Sequence, residues 1–225
     1  WTQLGRGAGG QIRALYLHNN GNSFNLYVGS DVAGVWKTEP IVSLTNNIEY
    51  QYKYISNSDI MRFTNKFYRP MRASYTSNYL FVASYHGIHR IDLNAQDGNM
   101  VHILDFDYSW VSDIYICDTI QNQHTIYFTT GNTRVNSDVV QYPKTKNILD
   151  FYWGSLNESE NFIDRNLLKG IRLKGMPKGG DAYCLHIDDN STALPNDDSI
   201  LLGTQIGLWH FSYNDAVNAE MLADK

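Results

Sequence analysis

Cysteine, clustered basic residues and long apolar runs are all scarce in this sequence. The 18 basic and 23 acidic residues are interspersed and form no Lys/Arg cluster of the kind that follows a phosphate backbone, so we expect no nucleic-acid partner. No apolar run approaches the roughly 18 residues of a membrane-spanning helix, and we therefore expect no transmembrane segment. The only 2 cysteines, Cys117 and Cys184, lie in apolar strand patterns, which favours two buried thiols over a disulfide.

Common catalytic and cofactor motifs are also missing. There is no G-x-S-x-G elbow, no phosphate-binding loop and no zinc-type ligand spacing. A G-x-G-x-x-G spacing occurs at Gly5, Gly7 and Gly10, but a strand pattern follows it where a dinucleotide site needs a helix. The acidic stretch DDNSTALPNDD (188–198) lacks the D-x-D-x-D-G order of a calcium loop, which favours a solvated loop. We expect no cofactor and no metal.

One hairpin is present in three copies. Each copy has a strand that ends on a small residue and a hydroxyl, a tight turn, and a second strand that opens on glycine. The copies are LYVGSDVAGVWK (26–37), YLFVASYHGIHRID (79–92) and ILLGTQIGLWHFS (200–212). The preceding strand repeats as well, as ALYLH (14–18) and AYCLH (182–186). A resemblance that extends to the neighbouring strand indicates a repeat protein.

The repeat predicts an all-β fold, a β-propeller. Glycines 34, 87 and 207, with a further unit between the last two, imply a period of about 50 to 60 residues with four strands each. We predict about four four-stranded units, at residues 1–65, 66–107, 108–170 and 171–225, forming one propeller domain or part of one. The tail AVNAEMLADK is helix-like. Either the ring is small or it has more blades, and an isolated set of units would expose an open flank.

Packing near the propeller axis explains which residue types occur in the hairpin. We expect Gly29, Ala83 and Gly203 where neighbouring inner strands converge and a bulky side chain would not fit. We expect the aromatic residues that follow the turn to pack between adjacent sheets and not to form a ligand platform. These residues are Trp36, His89 and Trp209.

The first residues carry a resemblance to a known family. WTQLGRGAGGQIRALYLH followed by LYVGSDVAGVWK resembles the first blade of large secreted propellers related to glycoside hydrolase family 74 xyloglucanases, and of the wider sortilin-like and BNR-repeat group. The resemblance is specific over residues 1–38 and architectural afterwards. It implies a larger ring, such as a seven-bladed one, further blades or domains of the same polypeptide, and an extracellular or cell-surface location, with export by a type IX route as one expectation.

The resemblance also implies a candidate catalytic residue. In family 74 the aspartate of the first-blade D-x-G-G turn is the general base, and Asp31 occupies that position in the sequence DVAG. An inverting glycosidase needs two carboxyl groups about 6.5 to 9.5 Å apart, and the family takes the second from another propeller that this sequence does not contain. The equivalent turns hold Tyr85, His86 and Gln205, which are candidate binding residues.

Two functions from different classes follow. The leading hypothesis is a non-catalytic propeller that binds a protein or a polysaccharide through its loops. The alternative is a xyloglucan-type endo-hydrolase with Asp31 as general base. Release of reducing sugar from xyloglucan, lost in Asp31→Asn, would distinguish them.

Overall fold

Strands make up most of the described chain, and they form four separate antiparallel sheets. A computed structural model describes residues 12–19, 24–30, 34–42, 48–55, 70–84, 87–95, 100–105, 109–117, 123–135, 140–142, 149–176, 181–189 and 195–223. The predicted all-β class is confirmed, and each sheet is built from consecutive strands.

The first and second sheets have four strands each, in simple sequence order. The first sheet contains β1(Ile12–Asn19), β2(Phe24–Ser30), β3(Gly34–Val42) and β4(Ile48–Ile55). The second contains β5(Pro70–Tyr75), β6(Tyr79–Ser84), β7(Gly87–Asp92) and β8(Met100–Leu104). The hairpins predicted from the repeat are present in both, and β4 occupies a stretch whose strands the sequence pattern left unassigned.

The third and fourth sheets depart from the simple plan. The third contains β9(Ser109–Cys117), β10(Gln123–Val135), β11(Val140–Tyr142), β12(Phe151–Asn157) and β13(Lys169–Ile171). The fourth contains β14(Ala182–Asp188), β15(Ser199–Thr204) and β16(Gly207–Ser212). Strand β13 lies within a Gly-rich stretch, and it pairs with β12 as an edge strand. The fourth sheet has three strands instead of the predicted four.

A helix, α1(Tyr213–Ala223), follows the last strand. Ser212 caps it: the Ser212 N–H and hydroxyl both donate to the Asp215 carboxylate, and the Asp215 N–H donates to the Ser212 hydroxyl oxygen. This reciprocal arrangement satisfies N–H groups that a helix start leaves unpaired. The helix-like tail is thus confirmed as a helix that starts directly after β16.

Three apolar cores separate the four sheets. The first core joins Tyr27 and Val35 of the first sheet to Val82 of the second. The second core lies between the second and third sheets, and the third core lies between the third and fourth. We call the face that a sheet turns toward the next sheet its forward face, and the opposite face its rear face. Each sheet therefore packs only on its neighbours in sequence.

Hydrogen bonds between the first strands of adjacent sheets hold the stacked sheets together. The Ile116 N–H donates to the Ser74 hydroxyl, 2.9 Å away, across β9 and β5. The Ser112 hydroxyl donates to the Ala182 carbonyl, and the Leu185 N–H donates to the Asp113 carboxylate. The two β9–β14 bonds join residues in the same order along both strands, so β9 and β14 run in the same direction. Because single contacts also join residues at similar places on β1 and β5 and on β5 and β9, we infer the same direction for all four first strands.

Two expectations about single residues were wrong. Cys117 is buried as predicted, but Cys184 is exposed, and neither cysteine forms a disulfide. A Cβ on Gly203 would lie 2.6 Å from the Cys184 sulfur, so this glycine makes room for the thiol. Trp209 packs in the core between the third and fourth sheets, whereas Trp36 is half-buried on the rear face of the first sheet. No adjacent sheet covers Trp36 within the part of the chain that the structure describes.

Candidate functional site

The turns of the repeated hairpins define one end of the stack. In each sheet the first strand pairs antiparallel with the second strand, so the second strand ends where the first strand begins. The connection from the second strand to the third lies at that point. Because the first strands run in the same direction, these connections lie at one end of the stack. We call this region the hairpin-turn end. Of these connections, the structure describes residues 205–206 of the fourth sheet and residues 140–142 and 149–150 of the third.

Gln205 is the one predicted site residue that the structure describes. It is exposed in the tight turn between β15 and β16, and its N–H donates to the Asp181 carbonyl at 2.9 Å. The Thr204 hydroxyl donates to the Gly207 carbonyl at 2.8 Å and accepts from the Ile206 N–H. These bonds fix the backbone of the turn while the side chains of Gln205 and Ile206 remain exposed.

The other predicted site residues lie outside the described residues. They are Asp31, the candidate general base, and Tyr85 and His86, the candidate binding residues. The residues beside them are described: the Ser84 hydroxyl donates to the Gly87 carbonyl at 3.1 Å, as Thr204 does to Gly207. The hydroxyl at the end of the second strand is therefore part of the turn structure and not a free nucleophile.

The third sheet extends the hairpin-turn end. Strand β10 continues past the point where β9 ends, and its residues 133–135 pair with β11. Strand β11 is therefore a small ribbon on the end of β10, and β12 is the strand that pairs with the body of β10. The sequence pattern showed a longer inner hairpin here but not this ribbon.

The opposite end of the stack contains a cluster of two tyrosines and two aspartates, of which Tyr127 and Asp198 are buried and Tyr115 and Asp189 are half-buried. The Tyr127 hydroxyl donates to Asp198, and the Tyr115 hydroxyl donates to Asp189 at 2.9 Å. We call these four residues the tyrosine–aspartate cluster. Asp198 is fully buried, so the expectation of a solvated acidic loop was wrong at this position. A contact between residues so far apart in the chain leaves no local signal in the sequence.

Burial dominates the electrostatics of this cluster. It raises the pKa of Asp198 to about 6, the neighbouring carboxylates of Asp189, Asp197 and Asp188 act in the same direction, and the Tyr127 hydrogen bond opposes them. Burial and the hydrogen bonds to aspartate raise the pKa of both tyrosines. Since Asp198 has no exposed surface, a substrate cannot reach it, and the cluster is suited to holding the acidic loop on the third sheet.

A second buried polar network lies at the same end. The Arg90 guanidinium donates to the carbonyls of Glu158 and Glu160 at 2.5 and 2.7 Å, and to the Asn161 side chain at 2.7 Å. Asn78 donates to the Glu158 carboxylate at 2.8 Å, while the other carboxylate oxygen lies 3.3 Å from His124 Nε2. Arg90 and Asn78 of the second sheet both bind the loop after β12, so the network fixes this loop on the second sheet.

Metal binding finds no support in the described residues. None of the described His, Cys, Asp and Glu side chains form a group of three or more that is placed to hold an ion. His89 is buried, stacks on His102 with ring centroids 4.5 Å apart, and has Nδ1 3.3 Å from the Ser84 hydroxyl. His89 is therefore part of the second sheet's packing.

Comparisons with known proteins do not assign the chain to a family. No family model matches it, and no curated protein matches it either. Within the described part of the chain, no helix is long and apolar enough to cross a membrane. The resemblance to family 74 and to the sortilin-like group therefore stays a prediction from the first 38 residues.

Proposed function

We propose that this chain is a non-catalytic β-propeller region of a secreted or cell-surface protein that binds a protein or a glycan at its hairpin-turn end. The observation that carries the proposal is the stack itself. Four sheets of consecutive strands contact one another through their first strands, β1 on β5, β5 on β9 and β9 on β14, which is the arrangement of neighbouring propeller blades around an axis. The four sheets are then successive blades.

The hairpin-turn end is the better candidate for the binding surface, because it combines a rigid frame with exposed side chains. The hydrogen bonds of Thr204 and Asp181 fix the turn that presents Gln205 and Ile206. The β10–β11 ribbon adds surface at the same end. At the opposite end, the Arg90 guanidinium and the hydroxyls of Tyr115 and Tyr127 already bind other groups of the protein. Function in repeat folds commonly lies on loops that such a scaffold positions.

The test is binding of the purified chain to a printed glycan array that includes xyloglucan, followed by titration of any glycan that binds. We expect Gln205→Ala combined with Ile206→Ser to weaken binding at least ten-fold. Phe162→Ser is the matched control, because Phe162 is exposed in the loop after β12 at the opposite end. Equal loss in both variants would argue against the hairpin-turn end.

The same preparation tests the non-catalytic part of the proposal. Incubation with xyloglucan is expected to release no reducing sugar. Release that is lost in Asp31→Asn would contradict the proposal and favour hydrolysis with Asp31 as general base. Capture of a cell-surface protein partner in place of a glycan would fit the protein-binding form of the proposal, provided that the same double variant weakens it.

A further inference from the structure

Asp198 joins three parts of the structure. Its carboxylate accepts a hydrogen bond from the Tyr127 hydroxyl of β10, and its carbonyl accepts one from the N–H of Tyr213, the first residue of α1, at 3.0 Å. A short 3-10 turn, Pro195–Asp197, precedes it, and the Asn214 side chain of α1 donates to a carbonyl of this turn at 3.1 Å. We call residues 195–198 the Asp198 turn. The turn therefore connects α1 to the third sheet.

The contact between this turn and the third sheet depends on a carboxyl group that has lost its water. Asp198 has no exposed surface. Tyr127 donates to one carboxylate oxygen, and the other oxygen, Oδ1, is buried without a hydrogen-bond partner among the described residues. A carboxylate in such a place lacks most of the hydrogen bonds that stabilise its charge in water. The geometry therefore favours the protonated acid in the docked turn and the ionised acid in a solvated one.

The charges around Asp198 act in the same direction as burial. The described titratable groups that surround Asp198 and its partner Tyr127 come from four elements: Tyr115 and Cys117 on β9, Asp188 and Asp189 at the end of β14, Asp197 in the turn, and Tyr213 on α1. All of them are neutral or negative, and among the described residues no basic side chain pairs with Asp198. Burial, and after it these carboxylates, raise the pKa of Asp198 to about 6 against the Tyr127 hydrogen bond, which lowers it.

We propose that the Asp198 turn is a proton-controlled contact, which stays docked on the third sheet while Asp198 is protonated and is released locally far more often once Asp198 is ionised. The released part is the turn and the start of α1, while β9 and β10 remain paired. An acidic medium therefore tightens this end of the stack and a neutral medium loosens it. The inference concerns a conformational device at the end opposite the hairpin turns, and it does not depend on the ligand proposed above.

The pH range of the effect follows from the two states of Asp198. When the turn is released, the carboxyl is solvated and has its ordinary pKa of 3.8, whereas in the docked turn the pKa is about 6. Because the docked pKa is the higher one, the stabilisation by protonation is complete below about pH 4, is lost as the pH rises to 6, and changes little above that. The ratio of released to docked turn should rise about fifty-fold between pH 4 and pH 7.5.

The first experiment is amide hydrogen exchange of the whole chain by NMR at pH 4 and pH 7.5, with each rate divided by the intrinsic rate at that pH. The Tyr213 N–H, which is bonded to the Asp198 carbonyl, is expected to show the fifty-fold rise. The N–H groups of Leu167 and Leu168 close a comparable 3-10 turn beside the exposed Asp164, and they should change less than three-fold. No rise at Tyr213, or an equal rise at both turns, would overturn the proposal.

The second experiment uses two variants to assign the effect to Asp198. Asp198→Asn has no titrating group at this position, so the corrected exchange of the Tyr213 N–H should change less than three-fold between the two pH values. Tyr127→Phe keeps the carboxyl but removes the hydrogen bond that lowers its pKa. Its profile should therefore continue to rise above pH 6, which a merely structural role of Tyr127 would not cause, and this profile decides the matter if Asp198→Asn does not fold. A pH dependence that persists in Asp198→Asn, or a profile of Tyr127→Phe that levels off at pH 6 as in the native chain, would refute the proton-controlled contact.

Discussion

The Tyr127 hydroxyl donates a hydrogen bond to the carboxylate of Asp198, a fully buried group on the residue just before β15. This bond ties the third sheet to the fourth. The other carboxylate oxygen, Oδ1, is buried without a hydrogen-bond partner among the described residues. A buried carboxylate that is satisfied on one side only is costly to ionise, which explains the raised pKa at this position.

Replacing Asp198 with asparagine should stabilise the protein at neutral pH. The folded chain holds the Asp198 proton with a pKa of about 6, against 3.8 for an ordinary aspartate. The contribution of this group to stability is therefore complete below about pH 4 and is lost as the pH rises through 6. We expect Asp198→Asn to equal the native chain in Tm at pH 4 and to exceed it by about 2–4 °C at pH 7.5.

Tyr127→Phe provides the contrast to this variant. It removes the hydroxyl that donates to a buried carboxylate, which costs about 1–3 kcal/mol. The loss should be larger at pH 7.5 than at pH 4, because the ionised carboxylate depends more strongly on this donor. Thermal melts at the two pH values measure both variants. A difference between Asp198→Asn and the native chain that is the same at both pH values would argue against the raised pKa.

Alanine at the hairpin glycine should be far more damaging in the second sheet than in the fourth. Gly87 has φ +108°, and a Cβ there would lie 1.8 Å from the Leu104 carbonyl oxygen. Gly207 has φ +131° with nothing within 4 Å of the added atom. We expect Gly87→Ala to cost about 3 kcal/mol or more and Gly207→Ala about 1–2 kcal/mol. Urea denaturation midpoints check the order, and equal midpoints would contradict it.

Replacing Arg90 with lysine should destabilise the protein, although the substitution preserves the charge. The guanidinium makes three hydrogen bonds to one loop, and a lysine ammonium has no planar fork with which to repeat them. We expect Arg90→Lys to cost about 2–4 kcal/mol in urea denaturation. The exposed Arg172→Lys serves as control, with an expected change below about 0.5 kcal/mol. A similar loss in both variants would show that the fork geometry is unimportant.

Loss of the Asp113 carboxylate should loosen the fourth sheet selectively. Its two oxygens accept from the N–H groups of Ile114 and Leu185, each at 2.9 Å. Asp113→Ala leaves both donors without this acceptor, so amide exchange in β14 should accelerate while β6 and β7 keep their protection. Asp92→Ala is the control, because it removes an exposed local bond to Asn94. Uniform acceleration across all sheets would contradict a local effect.

The hairpins were predictable because the residues that form each turn are close together in the sequence. Gly87 and Gly207 follow a tight turn, and the hydroxyls of Ser84 and Thr204 bond within the same turn, so the pattern and the contacts lie within a few residues. The strand Tyr79–Ser84 was predicted at the bounds it has in the structure. The periodic repeat of this unit was sufficient to predict a set of small antiparallel sheets.

Contacts between sheets were not predictable in the same way. Tyr127 and Asp198 belong to different units, and nothing near either residue indicates the other. Strand β13 is three residues long and lies in a glycine-rich stretch, so it lacks the alternating pattern that marks a strand. Trp36 and Trp209 have the same place in the repeat, yet their surroundings differ because, among the described residues, a neighbouring sheet covers the rear face at Trp209 but not at Trp36.

The confinement of each sheet to consecutive strands has a consequence for biosynthesis. No described strand pairs with a strand of another sheet, so all the hydrogen-bonding partners of a sheet emerge from the ribosome within one stretch of chain. Each sheet can form its backbone hydrogen bonds before the next has been translated, and then serve as the template on which the next one condenses. The order of translation thereby matches the order of the stack.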